Sequence, residues 1–350
     1  MKYMINGYSI YVIILLTFII SAILIPIVKR IAFHVNAIDY PNERKVHTKP
    51  MPRMGGLAIF LAFLSGYILF AQEYKEMLGI LMGGIVLILV GIFDDIKPIP
   101  AKYKLIGQII AASIAVFYGN VILSEISAFG LYIDFGWFSP YVTVVFIISI
   151  INAINLIDGL DGLSGGLTAI YFTTIITIAI LMNKYSGLDM MICLLMLGSI
   201  LGYLPYNFHP AKIFMGDTGS MFIGYMIAIV ALLGFKNVTL TSFITPLLIL
   251  AIPILDTILA IIRRIIAGKP IGEADKDHIH HQFLKMKLST RKTVLIIYVI
   301  NIAFSAVSVF YVTGNNEQAI IIYSILLVLL IIFVLKTNIL FDHSKRNGTK

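Results

Sequence analysis

Long apolar segments recur along almost the whole chain, and they constrain its fold more than any other feature. Each is close to the ~20 residues that a helix needs to cross a bilayer, where a helix satisfies its own backbone hydrogen bonds. With 59% hydrophobic and only 13% charged residues, the 350-residue chain is too apolar for a soluble domain. We predict an all-α polytopic membrane protein in which residues 1–350 form a single integral-membrane domain.

The apolar segments predict eleven transmembrane helices. They are placed near residues 8–28, 54–71, 78–93, 105–118, 140–157, 165–182, 188–205, 219–235, 242–265, 293–313 and 319–336. An odd number of spans puts the two termini on opposite sides of the membrane, and the positive-inside rule decides which is which. With the N-terminus outside, the outer segments hold only Lys2, Lys75, Lys184 and Lys236, and the other 22 of the 26 basic residues lie inside.

This orientation predicts a multi-pass protein of the plasma membrane with a cytoplasmic C-terminus. The formal charge of +8 is then an orientation signal and an attraction for anionic lipid and substrate, and we expect no nucleic acid partner. The single cysteine, Cys193, excludes an intramolecular disulfide. The connection between residues 119 and 140 is the longest on the outer side, and we expect it to lie along the membrane interface.

Two adjacent carboxylates, Asp94 and Asp95, stand where the third apolar helix ends. They repel each other, and the dipole at a helix C-terminus disfavours both. A divalent cation or a metal-bound phosphate would compensate this repulsion. A solvated start of a loop explains the pair equally well.

The next acidic motif is Asn155, Asp158 and Asp161, which are spaced three residues apart. If the fifth helix continues through them, they share one face. The interspersed glycines would let the backbone approach a ligand closely, although a plain loop also accounts for them. Residues 162–166 match a Gly-x-Ser-x-Gly hydrolase pattern, but no strand precedes them, so the match carries no weight.

Asp217 precedes the eighth helix on the predicted inner side. A helix N-terminus offers unpaired amides and a positive dipole end, which suits a diphosphate beside a metal ligand. N-capping by Asp217 or Thr218 is an equally simple interpretation.

The histidine cluster His278, His280 and His281 follows Glu273, Asp275 and Asp277. Its spacing matches no common zinc site, and protonatable imidazoles in a basic loop favour contacts with phosphate or sugar. Asp256, inside the ninth helix, is a functional candidate because acids within membranes are rare. A buried pairing of Asp256 with Arg263 is the structural alternative.

Taken together, five ordered motifs resemble those of the polyprenyl-phosphate N-acetylhexosamine-1-phosphate transferases of glycosyltransferase family 4. They are residues 45–56, 93–95, 152–163, 206–220 and 278–281. Residues 41–45 and 277–281 are similar to the branch that transfers N-acetylglucosamine-1-phosphate from its UDP donor to undecaprenyl phosphate. The resemblance implies an Mg²⁺-dependent transferase, with Mn²⁺ as a substitute, that releases UMP in the first membrane step of teichoic acid or other surface polysaccharide synthesis. It also suggests a homodimer.

The resemblance assigns roles to individual residues. Asp94, Asp95 and Asp217 would be catalytic, with Asp217 and Asp95 at the metal. Phe214 would stack on uracil, and Gln282 departs from the basic residue that many relatives carry. The substrate-binding residues would be Lys49, Lys104, Asn155, Asp158, Gly159, Leu160, Asp161, Asn207, Phe214, Arg263, Arg264, His278, His280 and His281.

Two other functions remain open at this point. One is the sister reaction that transfers phospho-N-acetylmuramoyl-pentapeptide in peptidoglycan synthesis. The other is a transporter of a lipid-linked substrate, which would place ionisable groups near mid-membrane on broken helices with repeat symmetry. The acids here cluster instead at the predicted inner helix ends, and no repeat is visible. We favour direct attack by the lipid phosphate, although a covalent aspartyl intermediate is a second route.

Overall fold

The structure, a computed structural model, describes residues 3–41, 49–128, 131–184, 187–237, 244–266, 268, 278–314 and 316–336. Residues 42–48, which include the start of the first motif, lie outside the described residues, as do the predicted helix positions 242–243 and the acids Glu273, Asp275 and Asp277.

Helices make up most of the described chain. They are α1 (Ile10–His34), α2 (Gly55–Phe70), α3 (Lys75–Ile96), α4 (Ala101–Ser113), α5 (Ser139–Ile157), α6 (Leu163–Leu181), α7 (Leu188–Asn207), α8 (Gly216–Asn237), α9 (Ile244–Ile249), α10 (Ala251–Ile266), α11 (Ile279–Lys285), α12 (Thr290–Thr313) and α13 (Asn316–Lys336). Among the described residues, eight of the helices are long and apolar enough to cross a membrane: α1, α3, α5, α6, α7, α8, α12 and α13. The predicted multi-pass helical membrane protein is confirmed.

The three other predicted spans are shorter or interrupted. α2 has 16 residues. The segment predicted at 105–118 is α4 followed by a π-helical turn, Ile114–Tyr118. The segment predicted at 242–265 is divided into α9 and α10, because Pro253 lacks the N–H that would bond to the carbonyl of Ile249.

Two helix ends differ from the predicted bounds in ways that matter for the site. α3 continues to Ile96, and α8 begins at Gly216. Asp94, Asp95 and Asp217 therefore lie on the end turns of helices. α11 was not predicted, and it carries His280 and His281, which were expected in a loop.

Three short antiparallel hairpins accompany the helices of this all-α fold, and they were not predicted. Their strands are β1 (Met4–Ile5) with β2 (Tyr8–Ser9), β3 (Ile38–Asp39) with β4 (Met51–Pro52), and β5 (Glu125–Ala128) with β6 (Leu131–Asp134). In the second hairpin, Asp39 pairs with Met51, which brings Asp39 close to Arg53. The third hairpin lies in the connection that was expected to lie along the outer interface.

α8 is the central helix of the bundle. It packs against α2, α3 and α5, and nearly all of its length is buried. Its first turn touches neighbouring backbone directly: a Cβ on Gly56 would lie 2.0 Å from Gly219 Cα, and one on Gly91 would lie 2.3 Å from Thr218 Cα. These glycines let α2 and α3 approach the N-terminus of α8 closely enough to position Asp217.

Candidate active site

A cavity of about 830 Å³ opens at one end of the bundle. It is lined by residues from the connections that join α1 to α2, α3 to α4, α5 to α6, α7 to α8 and α10 to α12. These five connections are the ones that the charge distribution predicts to share the inner side. The sequence-predicted residues among its lining are Lys49, Asn155, Asp158, Gly159, Leu160, Asp161, Asn207, Phe214, Asp217 and His281.

Three carboxylates meet beside this cavity. Asp94 and Asp95 are buried on the last turn of α3, and Asp217 lines the cavity from the first turn of α8. Each offers one oxygen, and these oxygens lie within 4.8 Å of one another. The positive end of the α8 dipole partly compensates the Asp217 charge, whereas Asp94 and Asp95 stand at the unfavourable end of α3.

Asp95 joins α3 to the start of α8. Its Oδ1 accepts a hydrogen bond from the amide of Asp217 (2.9 Å), and its Oδ2 accepts from the amide and the hydroxyl of Thr218 (3.2 and 2.6 Å). Arg53 Nε lies 3.2 Å from Oδ1. The proposed N-capping by Asp217 or Thr218 is therefore wrong, because the cap of α8 comes from another helix.

Two basic side chains balance the three carboxylates. Lys104 Nζ lies 2.6 Å from Asp217 Oδ2 and 3.1 Å from Asp94 Oδ1. Arg53 lies 3.2 Å from Asp95 and 3.7 Å from Asp217. Burial disfavours the charge on Arg53, but the attraction of Asp95 and Asp217 outweighs burial and raises the pKa of the guanidinium.

Asn155 and Asp158 line the cavity at the end of α5. Asn155 Nδ2 donates to Ser220 Oγ (2.7 Å) and to Asp217 Oδ1 (3.3 Å). α5 ends at Ile157, as predicted, so the condition under which Asn155, Asp158 and Asp161 would share one helix face is not met. Asp158 instead lies in a turn, where it accepts a hydrogen bond from Ser164, and burial raises its pKa to about 7.

Asp161 and Asn207 connect the α5–α6 loop to the α7–α8 loop. Asp161 Oδ2 accepts from the amide of Ala211 (3.1 Å) and lies 2.8 Å from Nδ1 of His209. Asn207 accepts from the amide of Gly162 (2.9 Å) and donates to the carbonyl of Ile213 (3.0 Å). Because both ends of the Asn207 amide bind protein, its role in this structure is to hold the loops together.

Phe214 is held in the cavity by its own backbone. Its amide donates to the carbonyl of Pro52 (2.8 Å), and its carbonyl accepts from the amide of Gly55 (2.9 Å). The chain entering α2 therefore fixes the position of the ring. Lys49 lines the cavity from the same connection, and Gly159 and Leu160 line it from the α5–α6 loop.

The three histidines of the cluster have different environments. Nδ1 of His278 lies 2.9 Å from Asp256 Oδ2, and the amide of Ile279 donates to Asp256 Oδ1 (2.8 Å). Asp256 thus anchors the start of α11, and these two contacts account for the burial of this acid. Of the three histidines, only His281 is part of the cavity lining.

His280 is buried beneath the cavity lining. It is 1% exposed, and neither ring nitrogen has a hydrogen-bond partner among the described residues. A Cβ on Gly159 would lie 2.5 Å from its Nε2, so His280 packs against that loop. Burial, with the neighbouring His281 and His278, lowers the pKa of His280 well below its ordinary value. All three histidines were predicted to contact sugar or diphosphate, and of the three His281 is the one that lines the cavity.

The arginine pair of α10 is also placed differently from the prediction. Arg263 and Arg264 lie in the last turn of α10 and are absent from the cavity lining among the described residues. Arg264 is 8% exposed, and its Nε has no hydrogen-bond partner in the described part of the chain. The expected contact of Arg263 and Arg264 with diphosphate does not follow from this arrangement.

Sequence reasoning missed several residues that shape the site. Arg53 stands in the first motif and His209 in the fourth, so both were visible but received no role. Asp39, which lies 3.9 Å from Arg53 and lines the cavity, carried no signal at all. These residues become identifiable only when the hairpin of β3 and β4 and the crossing loops bring them together.

Comparison with known proteins gives consistent results. The model of glycosyl transferase family 4 matches residues 77–235, a stretch that contains Asp94, Asp95 and Asp217. A probable undecaprenyl-phosphate N-acetylglucosaminyl 1-phosphate transferase of Bacillus subtilis (strain 168) is 42% identical over 346 residues, which cover 95% of this chain and 94% of that protein.

Two further relatives extend this similarity. A decaprenyl-phosphate N-acetylglucosaminephosphotransferase of Mycobacterium leprae (strain TN) is 36% identical, with 85% of this chain and 83% of that protein covered. An undecaprenyl-phosphate alpha-N-acetylglucosaminyl 1-phosphate transferase of Haemophilus influenzae is 32% identical, and the match covers 91% of this chain and 92% of that protein.

Proposed function

This chain belongs to glycosyl transferase family 4, and from that premise we propose that it transfers N-acetylglucosamine-1-phosphate from UDP-N-acetylglucosamine to undecaprenyl phosphate and releases UMP. The observation that carries the proposal is the meeting of Asp94, Asp95 and Asp217 beside a cavity built from five connections. The three relatives above are named as N-acetylglucosamine transferases. Their names argue against the pentapeptide-transferring alternative.

The carboxylate cluster suits Mg²⁺, because this ion prefers oxygen ligands and is usually bound by one or two carboxylates together with substrate phosphates. Asp217 is the principal candidate ligand, since it is the member of the cluster that lines the cavity. The four contacts of Asp95 with Asp217, Thr218 and Arg53 use the acceptor capacity of its carboxylate. We therefore replace Asp95 by Asp94 as the second ligand and assign Asp95 to positioning α8.

The reaction is a phosphoryl transfer. An oxygen of the lipid phosphate attacks the β-phosphorus of the donor, a new P–O bond forms, and the bond to the bridging oxygen breaks so that UMP leaves. A bound Mg²⁺ would neutralise charge on the diphosphate. Because the second pKa of a phosphate monoester is near 6, the acceptor is largely dianionic at neutral pH and needs little help from a base. Asp94, which contacts Lys104 and the amide of Ile99, would at most remove a residual proton.

The remaining residues would bind and orient the donor. The ring of Phe214 would stack on uracil. His209 and the amide of Ala211 fix the position of the Asp161 carboxylate in the cavity lining, where it would contact the nucleotide. Lys49, Arg53 and His281 would place positive or hydrogen-bonding groups near the phosphates and the sugar. Positioning and charge neutralisation of this kind dominate other enzymatic phosphoryl transfers.

The membrane arrangement extends the same proposal. We place the protein in the plasma membrane with eleven spans, counting α2, α4 with its π-helical turn, and α9 with α10 beside the eight long helices. The N-terminus would be outside and the cavity cytoplasmic, where a soluble nucleotide sugar and the phosphate headgroup can meet. The product would enter teichoic acid or another surface polysaccharide. A homodimer is proposed from the family resemblance.

The direct test is to incubate the purified protein with Mg²⁺, undecaprenyl phosphate and one UDP-sugar at a time, and to measure UMP and lipid-linked product. We expect product with UDP-N-acetylglucosamine and none with the UDP-N-acetylmuramoyl-pentapeptide. Omission of the lipid phosphate is the control and should abolish UMP release. Product from the pentapeptide donor alone would assign the sister reaction, and movement of lipid-linked substrate across proteoliposomes without UMP would assign a transporter.

A further inference from the structure

The ammonium group of Lys104 is bound between two carboxylates. Its Nζ lies 2.6 Å from Asp217 Oδ2 and 3.1 Å from Asp94 Oδ1. Both acids are largely buried, with 14% and 4% of their side chains exposed, whereas 24% of the Lys104 side chain is exposed. Lys104 thus neutralises two charges that would be costly to leave together without a cation.

The local fold positions Lys104 between the carboxylates of Asp94 and Asp217. The turn between α3 and α4 is fixed because the amide of Ile99 donates to Asp94 Oδ1 (2.9 Å). α4 begins at Ala101, so Lys104 lies one turn into the helix and faces the end of α3. Its stem has four rotatable carbons, so the ammonium can leave the carboxylates while α4 stays in place.

The oxygens that Lys104 binds are those that a divalent cation requires. The oxygens of Asp95 are engaged at the start of α8. Asp94 and Asp217 are therefore the two carboxylates of the cluster that remain as candidate metal ligands. A divalent ion bound by these oxygens would lie within a few ångströms of the ammonium. At that separation the repulsion between the two cations is large, even with the screening typical of a protein surface.

We propose that Lys104 is a built-in counter-ion that occupies the carboxylate site until a divalent cation arrives, and that then moves to a phosphate of the substrate. The proposal rests on the function proposed above, because it takes the metal and the phosphates from that reaction. Lys104 keeps the buried acids neutralised before the metal binds, and it lowers metal affinity in the absence of substrate. When substrate is present, the phosphates receive the displaced ammonium, so metal and substrate bind more tightly together than separately.

The test is a titration of the purified full-length protein with Mn²⁺, followed by electron paramagnetic resonance, without donor or acceptor. Lys104→Met is compared with Lys102→Met, a matched control that removes the same charge from the same helix. Lys102 is exposed, and its ammonium lies over the ring of Tyr103 at 5.0 Å. We expect Lys104→Met to bind Mn²⁺ about tenfold or more tightly than the unaltered protein, and Lys102→Met within about twofold of it.

A second variant keeps the test decisive if Lys104→Met does not fold. Lys104→Arg retains the charge and offers a fork that can bind both carboxylates at once, so we expect it to weaken Mn²⁺ binding. Unchanged or weaker binding in Lys104→Met, equal tightening in Lys102→Met, or stronger binding in Lys104→Arg would overturn the proposal. So would the absence of Mn²⁺ binding in all of these proteins.

Turnover separates this proposal from the proposed function. UMP release by Lys104→Met should fall even at saturating metal, because the phosphate loses its ammonium partner. Lys102→Met should retain turnover. If the unaltered protein releases no UMP from any UDP-sugar, the proposed function fails, but the Mn²⁺ titration still decides whether Lys104 competes for the carboxylates.

Discussion

Asp95 and Asp217 carry the same charge and lie in contact, yet their surroundings predict different consequences when that charge is removed. Asp95 accepts from two amides and a hydroxyl at the start of α8 and contacts Arg53. Asparagine would turn an amide donor toward these donors. Since a hydrogen bond to a charged group contributes ~1.5–3 kcal/mol, we expect Asp95→Asn to lower the free energy of unfolding by at least about 3 kcal/mol. Thermal unfolding in detergent measures this loss.

Asp217→Asn is the matched comparison for Asp95→Asn. The Asp217 side chain is 14% exposed, and Lys104 and Arg53 keep Asp94 and Asp95 as partners when its charge is lost. We expect a smaller loss of stability. Metal affinity should fall at least about a hundredfold, since loss of even an outer-sphere partner costs ~10–100-fold. Equal unfolding temperatures for the two variants would contradict the assignment of Asp95 to positioning.

The acidic residues of the site could be predicted individually, but their division of roles could not. Repulsion between Asp94 and Asp95 was visible as a sequence pattern, and so was the position of Asp217 at a helix start. The partners were not visible, because Lys104 and Asp217 are separated by 113 positions and Asp256 and His278 by 22. These distant contacts determine which carboxylate is engaged in hydrogen bonds within the protein and which can bind a metal ion.

At the scale of the elements, the site depends on how closely α2 and α8 approach. A Cβ on Gly56 would lie 2.0 Å from Gly219 Cα and 2.1 Å from its nitrogen. Backbone atoms cannot rotate away, so Gly56→Ala must separate the two helices. Overpacking of a core costs ~1–3 kcal/mol and sometimes more, and we expect a loss at the upper end of that range. The unfolding temperature in detergent and the rate of UMP release should both fall.

Gly84→Ala provides the control, because Gly84, like Gly56, is a buried glycine of a helix. Its Cβ would meet the ring edge of Phe222 at 3.3 Å, a side chain that can shift slightly. Alanine is also more favourable than glycine within a helix by ~0.5–1 kcal/mol. The two effects oppose each other, so stability should change little. A Gly84→Ala variant as unstable as Gly56→Ala would show that the close approach of α2 and α8 is not the cause.

The predicted helices were placed well where apolar residues run without interruption, and less well at their polar ends. α5, α6 and α7 agree with the prediction to within a few residues. α8 extends into polar sequence because Asp95 of α3 accepts hydrogen bonds from the amides of Asp217 and Thr218 in its first turn. α11 follows a similar principle, since Asp256 holds its first amide. Stabilisation that comes from another element leaves no periodic signal in the sequence.

For the whole molecule, the structure adds an independent argument to the distribution of basic residues. Charge counting used the lysines and arginines of the connections. The cavity draws on the same five connections through acids, histidines, two asparagines and an aromatic ring. A short 3-10 turn (Gly136–Phe138) and α5 separate the hairpin of β5 and β6 from Asp158. The 19 residues of α5 span about 28 Å, which is close to the thickness of a bilayer core. The cavity and this hairpin therefore lie at opposite ends of the bundle.

This separation predicts which positions a membrane-impermeant maleimide reaches in intact cells. Cys193 is buried and is first changed by Cys193→Ser, so that introduced thiols are the only targets. With the cavity cytoplasmic, Tyr132→Cys in the hairpin should be labelled in intact cells, and Lys97→Cys beside the cavity only after lysis, although both positions are exposed. UMP release in each variant confirms a folded protein. Labelling of Lys97→Cys but not Tyr132→Cys in intact cells would invert the orientation and place the site where no cytoplasmic nucleotide sugar could enter it.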